Sequence, residues 1–72
     1  MDKQLILKAV QAVMDINELE SRYVAGVQVR KYSIWVYIID KQNDFDYVLT
    51  NQDATDTDIA DFIQKLDELK AV

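Results

Sequence analysis

Seven aspartates lie between residues 40 and 61: Asp40, Asp44, Asp46, Asp53, Asp56, Asp58 and Asp61. Lys41 is the only base in that stretch, so it carries −6 (seven negative, one positive) of a chain total of −5. Carboxylates at this density can hold a metal, act as acid and base, or present a field to a basic partner. The spacing decides among these. Asp44-Phe45-Asp46 and Asp56-Thr57-Asp58 alternate carboxylates, but neither continues to the glycine at position six and the glutamate at position twelve of a calcium loop. No metal is expected. Ser21, Ser33, Thr50, Thr55 and Thr57 are hydroxyls without an activating base, since the chain has no histidine. No glycine-rich phosphate loop is present, and a chain this short does not build a deep, dry pocket around paired carboxylates. Neither an enzyme nor a cofactor is expected.

The remaining chemistry is electrostatic. Like charges crowded together cost stability but create a strong local field. Short aspartate side chains hold that charge close to the backbone and lose little rotamer entropy. The acidic edge from Asp40 to Asp61 is therefore read as a surface for a protein partner with a basic face. A competing reading divides the run among ordinary duties: Asp44 in a turn, Asp56 and Asp58 at a helix start, and Asp61 paired with Lys65. At pI 4.4 the chain is expected to bind neither nucleic acid nor anionic membrane directly.

A second group is apolar. Trp35, Tyr37 and Ile39 alternate along one strand and share a face, which reads either as an interface or as rings covering Gly26 across the sheet.

The elements that must position these residues follow from periodicity. Residues 3–19 read as a helix whose apolar arc is about 240° wide, well beyond the usual stripe. That helix is expected to be covered on more than one side, by the second helix or by another subunit. Residues 22–30, 33–40 and 45–50 read as strands. With Lys31-Tyr32 as the first turn, Val27 faces Val36 and Ala25 faces Ile38. With Asn43-Asp44 as the second, Ile38 faces Leu49 and Asp40 faces Tyr47. This places Phe45, Tyr47 and Leu49 on the helix-covered face, and Val48 and Thr50 with Trp35 on the other. Residues 56–71 read as a second helix, with Thr55 as N-cap, Asp58 at N3 and a stripe of Ile59, Phe62, Ile63, Leu66 and Leu69.

The expected fold is α+β: a two-layer α-β-β-β-α domain over residues 1–72, with a three-stranded antiparallel sheet and both helices packed on one face. Its hydrophobic half allows a core, but a small one, and with no cysteine to form a disulfide oligomerisation is a natural support. A homodimer is one expectation. No stretch suits a signal peptide or a membrane span, so a cytoplasmic protein is expected.

The element order resembles that of the double-stranded RNA-binding domain. In that family a lysine cluster at the start of the second helix holds phosphates. Here the matching stretch is Asp53-Ala54-Thr55-Asp56-Thr57-Asp58, of opposite sign, so RNA binding does not carry over. The size, acidity and order also resemble small acidic phage inhibitors that imitate DNA, some anti-CRISPR proteins among them. The expected function is thus a small acidic non-enzymatic binding protein, of which a phage or mobile-element inhibitor is one form. The alternative is an assembly protein that self-associates through the first helix or the open sheet face.

Overall fold

A computed structural model describes residues 2–71. The order is α1 (Lys3–Glu18), β1 (Tyr23–Val29), β2 (Ile34–Asp40), β3 (Asp46–Asn51) and α2 (Asp56–Lys70). The strands form one antiparallel sheet in the order β1-β2-β3, and both helices contact one face of it, as the sequence led us to expect. Asp2 caps α1, its carboxylate accepting from the Gln4 and Leu5 amides. Thr55 and Asp58 form the reciprocal capping box at the start of α2. Each cap satisfies amide donors that the first helical turn leaves unpaired.

The core lies between the layers. Ala9, Ala12 and Ile16 of α1 and Ile59, Phe62 and Leu66 of α2 meet Ala25, Ile34, Val36 and Ile38 of the sheet. Small alanines on α1 let the helices approach closely, and Phe62, fully buried, fills the centre. Asn17 ties the end of α1 to β1: its side-chain amide donates to the Ala25 carbonyl and accepts from the Ala25 amide, both at 3.0 Å. The helices run parallel. The Asp2 amide reaches Asp56 at 3.5 Å where both begin, and Lys70 Nζ lies 3.6 Å from Asp15 Oδ2 where both end.

The first hairpin has the expected register, with Val27 opposite Val36 and Ala25 opposite Ile38. The Arg30 amide donates to the Ser33 carbonyl at 2.8 Å and closes the Lys31-Tyr32 turn.

The second hairpin departs from expectation. Ile38 does face Leu49, but Asp40 faces Asp46 and Ile39 faces Tyr47. The cause is a longer turn. Asp40 Oδ1 accepts from the Gln42 amide at 3.0 Å, Asp46 donates to the Asn43 carbonyl at 3.0 Å, and Asp44 and Phe45 both take positive φ, 55° and 57°. A bulge between the Ile38 and Ile39 pairs absorbs the extra residue at Val48. A one-residue slip moves side chains to the opposite face. Tyr47 therefore sits beside Ile39 on the open face, and Phe45 is an exposed turn residue, 68% accessible; neither belongs to the helix-covered face.

Candidate functional site

The fold separates the seven aspartates into two poles. Asp40, Asp44 and Asp46 lie where β2 ends and β3 begins. Asp53, Asp56 and Asp58 lie at the opposite end, where both helices start, and Asp61 is one turn further along α2. Between Asp46 and Asn51 the strand spans about 17 Å. That is about two screening lengths at physiological salt, so the poles act as separate charges and not as one edge.

Two of the seven have structural duties. Asp40 is buried, 7% accessible. It accepts from Arg22 Nε at 2.9 Å and from the second arm of the guanidinium, a bidentate pair. That bonding, helped by the Gln42 amide, outweighs burial and holds its carboxyl below the ordinary range; the same contact raises Arg22. Asp40 therefore leaves the acidic surface: it anchors the start of β1 to the end of β2. Asp58 accepts from the Thr55 amide at 2.9 Å and from the Thr55 hydroxyl at 3.0 Å, and these bonds lower its pKa. It closes the cap, although its half-buried carboxylate remains at the same pole.

Asp44, Asp46, Asp53, Asp56 and Asp61 are exposed, and none makes an ion pair among the described residues. The expected Asp61–Lys65 pair does not form; Lys65 lies 3.9 Å from Glu68 instead. Arg30 and Lys31, the bases of the hairpin at the helix-start pole, lie over the Trp35 and Tyr32 rings at 5.3 and 5.2 Å. They lie against aromatic faces, and neither pairs with Asp53 or Asp56. No three carboxylates among the described residues come close enough to hold a metal ion, and no pocket is found among them.

Part of the open sheet face covers itself, while Tyr47 beside Ile39 stays exposed. Tyr37 lies over Gly26, where any Cβ would collide with the far edge of its ring and its hydroxyl. Trp35 packs against Tyr37 with ring centroids 5.1 Å apart and donates from Nε1 to Thr50 Oγ1 on β3 at 3.1 Å. Trp35, Tyr37 and Ile39 are each half-buried.

A second apolar exposure is on α1. Leu7, Val10 and Met14 are 61%, 39% and 50% accessible and form a stripe at i, i+3 and i+7. The sequence signal for them was the wide apolar arc, but the arc did not distinguish this outer seam from the inner one of Ala9, Ala12 and Ile16. No helix of the described residues is long and apolar enough to cross a membrane.

Comparison of the chain with protein-family models, curated proteins and solved structures finds no match.

Proposed function

We propose that this is a small acidic binding protein, non-enzymatic, whose helix-start pole engages a protein partner with a basic surface. The observation that carries the reading is the state of Asp53, Asp56 and Asp61: exposed, on adjoining parts of one pole and of α2, and outside every ion pair among the described residues. Exposed carboxylates outside any ion pair attract cationic groups. An inhibitor that occupies a nucleic-acid-binding surface is one form such a protein takes. Asp44 and Asp46 form a second, separate acidic patch.

The test replaces Asp53, Asp56 and Asp61 together by Asn and leaves Asp58 to close the cap. Binding to the partner recovered by affinity capture should fall, and its salt dependence should flatten. Asp44→Asn with Asp46→Asn, at the other pole, should leave binding largely unchanged. Equal loss from both sets would mean that net charge acts without a defined surface.

A second reading, assembly with further copies of the chain, is favoured by the exposed Leu7, Val10 and Met14.

A further inference from the structure

The outer seam of α1 has a symmetry that singles out its occupant. Leu7 and Met14 are equidistant from the midpoint between Val10 and Gln11, and so are Lys3 and Glu18. At 100° per residue this seam lies about 160° around the helix from the buried Ala9, Ala12 and Ile16. Read along the helix it is basic at one end, apolar in the middle and acidic at the other. A second copy laid antiparallel would place Leu7 against Met14 and Lys3 against Glu18, twice. A parallel copy would place Lys3 against Lys3 and Glu18 against Glu18.

Asp15 of α1 pairs with Lys70, but the charges at the two ends of the helix, Lys3 and Glu18, have no such rationale within one chain. A helix favours acids in its first turn and bases in its last. α1 has no acid in its first turn and no base in its last; it has Lys3 and Glu18 there instead, and neither makes an ion pair among the described residues. An antiparallel neighbour reverses the local dipole and offers each charge its opposite. α1 is also neutral (Lys3 and Lys8 against Asp15 and Glu18), whereas α2 sums to −3, with five acids and two lysines. Two chains of −5 repel less when they meet across α1 than across α2.

We propose that α1 is a homodimer interface in which the outer seams of two copies pack antiparallel about a two-fold axis near Val10 and Gln11. The proposal rests on the assembly reading and adds the surface, the orientation and the pairing. Three half-exposed apolar side chains per copy fall short of the roughly 800 Å² per partner of a standard interface, so the dimer is weak and concentration-dependent.

Sedimentation of the full chain from about 10 µM to about 1 mM tests it, and wild type should pass from monomer to dimer across that range. Leu7→Gln with Met14→Gln should remain monomeric with an unchanged unfolding midpoint at low concentration. Lys3→Glu and Glu18→Lys should each weaken the dimer about tenfold, and the two together should restore most of the affinity. Each single charge change moves α1 toward the pattern its dipole favours, so a lost dimer cannot be ascribed to lost folding. A monomer throughout overturns both the proposal and the assembly reading, and leaves the seam to a different protein. A dimer indifferent to the Leu7 and Met14 changes overturns the α1 surface while assembly itself stands. A dimer that loses affinity with both single charge changes and is not restored by the double one overturns the antiparallel pairing.

Discussion

α1 and α2 lie side by side on the same sheet, yet their surfaces are built on different plans. α2 has one apolar stripe, and Ile59, Phe62 and Leu66 on it are buried. It has a capping box, acids in its first turn and Lys70 in its last. The stripe, the capping box and Lys70 are satisfied inside one chain. α1 has an inner seam that the sheet and α2 cover, an outer seam that the described residues leave partly exposed, and Lys3 and Glu18 opposed to its own dipole. Both helices are of ordinary length and both are capped, so propensity does not separate them. What separates them is the apolar surface that the described residues leave exposed on α1. The comparison teaches that an apolar arc too wide for its monomer is informative only when read together with the charges at its ends.

The largest way to sharpen this contrast is within α1. Ile16→Ala should cost about 2–5 kcal/mol, because a fully buried side chain leaves a cavity. Met14→Ala should change stability by less than about 0.5 kcal/mol in the monomer. Denaturant unfolding at low protein concentration measures both, and equal losses would show that the two seams are not distinct.

A smaller effect is expected at the start of α2. Thr55→Ala removes the cap and should cost about 1 kcal/mol at neutral pH. The pH dependence follows from Asp58, whose pKa is lowered in the folded state. Its contribution is present above the ordinary aspartate pKa and is lost as pH falls through the lowered value. The gap between variant and wild type should therefore narrow in acid; a gap constant down to low pH would show that the cap does not depend on the ionised carboxylate.

The smallest effects are the dipole terms, and their signs should oppose. Lys3→Glu should stabilise the monomer by about 0.3–1 kcal/mol, while Lys70→Glu should destabilise it by at least a similar amount. Lys70 also loses its contacts to Asp15 and Asp67, at 3.6 and 3.4 Å. Thermal unfolding at low salt and low protein concentration reads both, and the same sign for the two would remove the contrast between the helices.

Much of the fold was legible in the residues. The period of 3.6 in α1 and α2, the alternation along β2, and Thr55 with Asp58 are local signals, and each describes the element that forms. Tyr37 over Gly26 was legible as well, because the first register follows from one turn. The second hairpin was not. Asp40 reads as one more acid of a run, and only its distance from Arg22 in the fold makes it a buried anchor. Arg22 is 18 residues away in the chain, and no local pattern links the two.

The sequence by itself determined the element order, the caps and the excess of apolar surface on α1, because these depend on spacing along a single chain. Only the tertiary structure decided which acids lie together. Chain reversal through β3 carries Asp44 and Asp46 to one pole and Asp53 and Asp56 to the other, and the bulge at Val48 turns Tyr47 to the open face. It also decided which seam of α1 is covered. Both seams are apolar at helical spacing; the one with small residues, Ala9 and Ala12, admits α2 and the sheet at close range, and the bulkier Leu7, Val10 and Met14 are left outside.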